Sequence, residues 1–314
     1  MDDRRRVAIF GAGAIGTGFA ATVVAAGWDV LLVDPSEAAR DAAPESVARH
    51  IRALTSAGHR QAPRHGKLDT AAALDGTGFV LVIEAGPERR DAKEAIFRDL
   101  LETTADDTVL VTASSAIPMS AILPDPTDQA RCLVAHPANP PSLIRVIELV
   151  PAPGTDPAVT RRATALFQAI GFDPVPLGKE IPAFVFNRLQ SALLREAYRL
   201  VDEGVVDVDG IDRLVRDGLG PRWALSGPFE TADLNTAGGV RGHAERLGPA
   251  YAQIGRDRGE HAPDWPAALV DLVEAQRRAL LPEEELPARR AWRERALAQL
   301  LAARARVFEE GSQS

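Results

Sequence analysis

Sulfur is scarce in this chain. Cys132 is the only cysteine among 314 residues. One thiol excludes an intrachain disulfide framework and a zinc–thiolate centre, so no metal site is expected. Positive charge is also in deficit. The formal net charge is -8 and the pI is about 5.4, which argues against a broad nucleic-acid or anionic-membrane surface, since both need clustered cations. A small anionic ligand remains compatible, because one or two local cations are enough for it. No apolar run approaches the ~20 residues of a membrane span, and no apolar signal core follows the charged start Met1–Arg6. A reducing, cytoplasmic home without a membrane partner is the expectation.

What is present is an ordinary core-forming content, 46% hydrophobic, in a chain long enough for two domains. The first half alternates short apolar runs with helical stretches. Val7–Phe10, Val30–Val33, Phe79–Ile83, Val109–Thr112 and Cys132–Ala135 read as strands buried on both faces, and Val146–Val150 and Phe172–Pro176 as further ones. Between them lie helical candidates at Ala14–Ala26, Ser36–Ala57 and Arg89–Glu102, and another from the Asp156-Pro157 start to about Ala169. Such alternation implies a doubly wound, mostly parallel α/β sheet. After Pro182 the strand signals nearly vanish. Val185, Leu189, Ala192, Leu193, Ala197 and Leu200 recur at helical spacing up to a stop at Gly204. Asp209 and Asp212 are candidate caps of a next helix, followed by His243–Arg258, Ala267–Leu280 and Pro287–Glu309, with the last residues, Glu310–Ser314, expected to fray. The expected division is an α/β domain over 1–181 and an all-helical domain over 182–314.

Gly11-Ala12-Gly13-Ala14-Ile15-Gly16 follows the first strand and opens the first helix, the context a dinucleotide-binding (Rossmann-type) GxGxxG motif requires. Gly11 permits the tight turn, Gly13 the approach of a pyrophosphate, and Gly16 close helix–strand packing. The helix start at Ala14 and Ile15 offers free N–H groups to the phosphates. Asp34 ends the second strand, where an acid accepts hydrogen bonds from the ribose hydroxyls. A 2′-phosphate at ~4 Å from it would cost about 4 kcal/mol at an effective dielectric near 20, and Pro35 and Ser36 supply no arginine in compensation. NAD is therefore expected over NADP. The alternative for Asp34 is a structural helix cap.

Removing a hydroxyl proton during hydride transfer needs a base, and histidine titrates near neutrality. His50, His59, His65, His243 and His261 lie in polar or charged surroundings and read as solvated surface groups. His136 closes the strand Cys132–Ala135, and ligands bind outside the carboxyl ends of strands in such sheets. A buried core histidine is the competing reading. Glu148 interrupts the apolar run Val146–Val150. A carboxylate there is costly unless paired, and His136 on a neighbouring strand is a fitting partner. The competing reading is the exposed face of an edge strand.

The chain resembles the 3-hydroxyacyl-CoA dehydrogenase family, and within it the λ-crystallin / L-gulonate 3-dehydrogenase branch. The resemblance rests on Gly11–Gly16, Val82-Ile83-Glu84-Ala85-Gly86-Pro87-Glu88, Ser114-Ser115, His136-Pro137-Ala138-Asn139-Pro140-Pro141, Glu148-Leu149-Val150-Pro151 and Phe186-Asn187-Arg188-Leu189-Gln190. It continues in Gly218–Trp223, Gly227–Thr231 and Ala288-Arg289-Arg290-Ala291-Trp292-Arg293. It implies His136 as general acid/base with Glu148 as its partner. Ser115 and Asn187 would hold the substrate oxygen or the nicotinamide end. Glu88 and Lys93 would lie near the nicotinamide ribose, Asn139 would shape the pocket, and the site would fall between the domains. The resemblance also implies a homodimer through the C-terminal domain. Two departures, Ala113-Ser114 before the serine and Gly86 in place of the usual Val, alter the pocket wall and remove no reacting group.

Read without the family, Ser114-Ser115 after a strand is more often a turn or cap. Arg222, placed in a loop of the Gly-Leu-Gly-Pro-Arg-Trp stretch, is a candidate for a substrate carboxylate, the alternative being a surface or interface arginine. The expected reaction is reversible NAD-linked oxidation of a 3-hydroxy acid, L-gulonate being the obvious candidate. One alternative is a 3-hydroxyacyl-CoA substrate whose phosphates land on the basic stretch His59, Arg60, Arg64, His65 and Lys67. Another is a non-catalytic, NAD-binding crystallin-like protein.

Overall fold

The computed structural model describes residues 5–74, 77–261 and 266–311. It falls into two compact units, Met1–Leu194 and Arg195–Ser314. The first unit holds an eight-stranded sheet: β1 Arg6–Phe10, β2 Asp29–Val33, β3 Leu68–Ala71, β4 Leu81–Glu84, β5 Val109–Thr112, β6 Cys132–Pro137, β7 Val146–Pro151 and β8 Asp173–Pro176. Their spatial order is β3-β2-β1-β4-β5-β6-β7-β8. Every pairing is parallel except β6 with β7. Helices α1 Ala14–Ala25, α2 Glu37–Ser56, α3 Arg90–Thr103, α4 Met119–Ile122 and α5 Pro157–Ala169 follow their strands, and α6 Phe184–Asp202 starts in this unit and runs into the next.

Because strand side chains alternate, β1 feeds two cores at once. Val7 and Ile9 join Phe19, Phe167 and Phe172 on one face, while Ala8 joins Phe79, Phe97, Met119 and Phe184 on the other. Both faces are thus dry, as the nearly continuous apolar strands require. Cys132 is buried in the sheet, which pushes its thiol pKa up to about 12. Asp156 caps α5 as read, its Oδ1 accepting from Ala158 N at 2.7 Å.

The second unit contains the remaining helices α7 Val208–Arg213, α8 Gly220–Trp223, α9 Pro228–Asn235, α10 Gly239–Asp257, α11 Ala267–Leu280 and α12 Leu286–Gly311, with a π-helical turn at Leu214–Leu219. Three expectations change. The cap of α7 is Asp207, whose side chain accepts from Gly210 N at 2.8 Å, not Asp209 or Asp212. The stretch around Arg222 is helical rather than a loop, because the π-helical turn runs directly into α8. β3, α4 and α9 are additional elements. The fraying expected at Glu310–Ser314 is partly outside the described residues, α12 running to Gly311. No described helix is long and apolar enough to cross a membrane.

Phe167 is fully buried and meets Phe19 edge-on at 6.3 Å and Phe172 at 5.7 Å between ring centroids. Phe167→Ala should cost about 3–5 kcal/mol of unfolding free energy in a urea titration. A loss below about 1 kcal/mol, the level of an ordinary surface substitution, would contradict this packing.

Candidate active site

The turn after β1 fits a dinucleotide. Gly11 has φ +97°, and a Cβ there would lie 2.5 Å from the Ala85 carbonyl oxygen. A Cβ on Gly16 would lie 1.8 Å from Gly11 O, so the helix and turn touch through bare backbone. At Gly13 a Cβ would meet nothing within 4 Å, which leaves open space beside the start of α1. Gly13 caps that helix without a side-chain bond, and the first-turn N–H groups of Ala14, Ile15 and Gly16 have no intrahelical partners. Asp34 stands at the end of β2, its Oδ2 accepting from Ala12 N at 2.8 Å and its Oδ1 from Ser36 N at 2.9 Å. It therefore ties the glycine turn to the end of the second strand. These residues suit NAD: backbone donors for the pyrophosphate and an acid for the ribose.

His136 and Glu148 are direct register partners across the antiparallel β6–β7 pair. Residues opposite each other on such a pair project to the same face, and His136 Nδ1 lies 2.7 Å from Glu148 Oε2. Both are buried, at 6% and 7% exposure. β8 covers the outer side of β7, so Glu148 is not on an edge strand. Its other oxygen, Oε1, accepts from Val185 N at 2.8 Å and Phe186 N at 3.0 Å. The first turn of α6 is thus fastened to the same carboxylate. Ala183 and Phe184, just before those donors, have φ of 61° and 55°. The Phe184 and Phe186 rings stand 5.5 and 6.2 Å from the imidazole. Neither ring carried a site role in the sequence.

A second network forms beside β4. Glu84 is fully buried and binds the Lys93 ammonium, 2.9 Å from Oε2 and 3.2 Å from Oε1, as well as the Thr112 hydroxyl at 2.6 Å. Lys93, 1% exposed, also lies 3.3 Å from Glu88 Oε2. Glu88 Oε1 in turn accepts from the Ser114 hydroxyl at 2.6 Å, Ser115 N at 2.9 Å and Ala116 N at 3.2 Å. Partial burial works against the Glu88 carboxylate, but Ser114, Lys93 and the Ser115 N–H outweigh it and hold its pKa below the ordinary value. The Lys93 ammonium faces these two glutamates, so in this structure it positions Glu88. From the sequence Glu84, Thr112 and Ser114 carried no site role, although a carboxylate closing an otherwise apolar strand was a signal for the first.

Asn187 Nδ2 donates to the Ser115 carbonyl at 2.7 Å, joining the serine turn to α6. Ser115 is exposed, and so is Asn139 in the turn after β6. Arg222 belongs to the second unit, and its Nε is buried with no hydrogen-bond partner among the described residues. Three histidines differ from expectation, His243 among them, partly buried and 3.4 Å from the Thr236 hydroxyl. His50 and His59 are partly buried rather than solvated, the first 2.8 Å from the Ser142 hydroxyl and the second 3.0 Å from the Leu143 carbonyl. Burial, then Arg49, lowers the His50 pKa. Among the described residues no group of three or more His, Cys, Asp or Glu could hold a metal ion.

Breaking a buried ion pair from one side leaves an uncompensated charge. Lys93→Met should therefore cost about 3–5 kcal/mol in urea unfolding, and adding Glu84→Gln should restore part of it. Equal losses from the single and double variants would contradict the pairing.

The family model for the NAD-binding domain of 3-hydroxyacyl-CoA dehydrogenase matches residues 6–181, and that for its C-terminal domain matches residues 184–280. Over 305 residues the chain is 34% identical to lambda-crystallin of Oryctolagus cuniculus, covering 94% of each chain. It is 34% identical to L-carnitine dehydrogenase of Streptomyces griseus subsp. griseus over 279 residues, 87% of this chain and 82% of that one. The solved structure of an NAD+-dependent dismutase, 5-formyl-3-hydroxy-2-methylpyridine 4-carboxylic acid 5-dehydrogenase, matches with a TM-score of 0.71 at 26% identity, covering 92% of this chain and 98% of that one. With both halves matched and a relative at this identity spanning nearly its whole length, the chain belongs to the 3-hydroxyacyl-CoA dehydrogenase family, with NAD as its cofactor and lambda-crystallin among its relatives.

Proposed function

We propose that the protein interconverts a small 3-hydroxy acid and its 3-keto acid, L-gulonate being the first candidate substrate, with His136 moving the hydroxyl proton. The observation that carries this reading is the buried His136–Glu148 pair, 2.7 Å apart. Bound NAD supplies the hydride acceptor. Glu148 only accepts hydrogen bonds when ionised, so His136 places its proton on Nδ1 and keeps the Nε2 lone pair for the substrate hydroxyl. As the carbinol C–H leaves as hydride, Nε2 takes the hydroxyl proton and the C–O bond becomes a carbonyl. Glu148 then faces an imidazolium, whose charge it stabilises. Because its second oxygen is held by two backbone N–H groups, the pair is oriented before substrate arrives, the condition under which positioning lowers a barrier. Ser115 and Asn187 hold the oxygen in line, and Asn139 bounds the pocket.

A free acid is favoured over a CoA thioester because the carnitine and pyridine-carboxylic acid dehydrogenases among the relatives are named for small molecules without CoA. Arg222 is the proposed partner of the substrate carboxylate, which its unpartnered Nε supports. The exposed cations Arg60, Arg64 and Lys67 keep a 3-hydroxyacyl-CoA as the second reading. The lambda-crystallin relative keeps a non-catalytic role as the third. Exposed Tyr198, Val205, Val208 and Leu214 support a homodimer through the helical unit. A cytoplasmic location is part of the same reading.

NADH formation from NAD with L-gulonate, simple 3-hydroxy acids and 3-hydroxybutyryl-CoA tests the substrate class; turnover confined to the CoA ester would overturn the free-acid reading. With the active substrate, His136→Ala should lower kcat by roughly 10²–10⁴-fold while NAD still binds. Loss of NAD binding instead would make His136 structural. Arg222→Leu should raise KM for an acid substrate much more than for a neutral alcohol, and equal effects on both would remove Arg222 from the carboxylate site.

A further inference from the structure

We propose that the helical unit carries a second binding site, for a small organic oxyanion, between α11 and α12, with Arg277 and Arg289 as its cationic ligands. The argument begins with how α9 is held. Asp233 on α9 is fully buried and takes the Arg278 guanidinium and Val240 N. Arg289 Nε donates to Glu230 Oε1 at 2.7 Å, Arg290 Nε to the Leu234 carbonyl at 2.8 Å, and Arg293 Nη2 to Asn235 Oδ1 at 2.9 Å. These four arginines from α11 and α12 each have a hydrogen-bonded partner on α9.

Arg277 is the exception. Its side chain is only 12% exposed, yet among the described residues it donates no hydrogen bond, and its Nε is buried without a partner. The carboxylate oxygens nearest to it lie 3.7 Å away on Asp233 and 3.9 Å away on Glu230, beyond hydrogen-bond reach. Both acids are already bound more closely by other arginines, Asp233 by Arg278 and Glu230 by Arg289. A guanidinium has five donors, and burying even one of them unused is costly. A buried group left in this state calls for an acceptor from outside the chain.

The space for that acceptor is present. Arg277 and Arg289 line a cavity of about 560 Å³ whose remaining wall is largely Leu280, Leu281, Ala288 and Trp292, a size typical of small-molecule sites. Glu230 and Glu285 also border it. The lining thus holds two arginines and two glutamates, and Glu230 is already bound by Arg289. Arg289 lies 3.9 Å over the Trp292 ring, which fixes the plane of its fork. A carboxylate or phosphate head suits two guanidinium forks, and the leucines and Trp292 suit a short apolar body. A cationic ligand would be repelled by Arg277, and a neutral one would leave its charge uncompensated.

The test is calorimetric titration of the full-length protein with hexanoate, hexyl phosphate, hexanol and hexyltrimethylammonium. One or both anions should bind at one per chain, with Arg277→Met weakening them at least tenfold and the alcohol and the cation giving no saturable heat. Binding of hexanoate alone identifies a carboxylate ligand, and of hexyl phosphate alone a phosphate ligand. If Arg277→Met does not fold, Arg289→Gln serves, since it leaves the Arg278–Asp233 pair in place. Anion binding that is absent, equal in wild type and variant, or matched by the cation would overturn the proposal. So would a wild type that binds no anion while Arg277→Met shifts a dimer to monomer in sedimentation, because acceptors of a second copy would then fill the site.

Discussion

The Glu148 carboxylate is the interaction on which the rest of the site depends. It sits in a strand whose other residues are apolar, where an unpaired charge would be prohibitive. Both oxygens are committed: one to the His136 imidazole, the other to two N–H groups at the start of α6. One side chain thus orients the proposed base and fixes where the first long helix after the sheet begins. The approach to that helix is strained, since Ala183 and Phe184 both sit in the left-handed region. Each such residue costs on the order of 1–3 kcal/mol and persists only where its surroundings hold it. The full burial of Phe184 and the two bonds to Glu148 are what hold it here.

The opposite wall is built on the same principle with different groups. Glu84, Lys93 and Glu88 form a chain of ionic contacts that begins in the fully buried end of β4 and finishes on the backbone of Ser115. Asn187 closes the circuit by bonding the Ser115 carbonyl from α6. The serine turn, the imidazole and the first turns of α6 are therefore mutually braced, with each polar group at the site's edge anchored to one that is buried. Such over-determination suits a reaction whose barrier is lowered mainly by position.

Much of this was legible in the sequence, for identifiable reasons. The GxGxxG turn, the five main strands of the parallel half and the Asp156-Pro157 helix start are local features, set by glycine sterics, apolar runs and capping. The pairing of His136 with Glu148 could be reasoned from the cost of a charge in an apolar strand. That β7 runs antiparallel to β6 could not, because a short apolar run carries no sign of its direction. β3 was missed because its Leu-Asp-Thr-Ala sequence is polar and only partly buried, as an outermost strand can be. Asp207 was passed over as a cap in favour of Asp209 and Asp212, since three acids within six residues offer no local basis for choice. The partners of His50 and His59 lie 92 and 84 residues away, so their partial burial is a tertiary fact. The family resemblance supplied Glu88 and Lys93, yet not the buried Glu84 that organises them.

The central claim is that Glu148 sets the tautomer of His136 and leaves Nε2 free to accept a proton. The direct measurement is ¹⁵N NMR of the histidine side chains in the NAD-bound protein at a pH where imidazoles are neutral, with His136 assigned by comparison with His136→Gln. The account predicts a protonated Nδ1 and a bare, basic Nε2 at His136. A proton on Nε2, with Nδ1 bare, would contradict it.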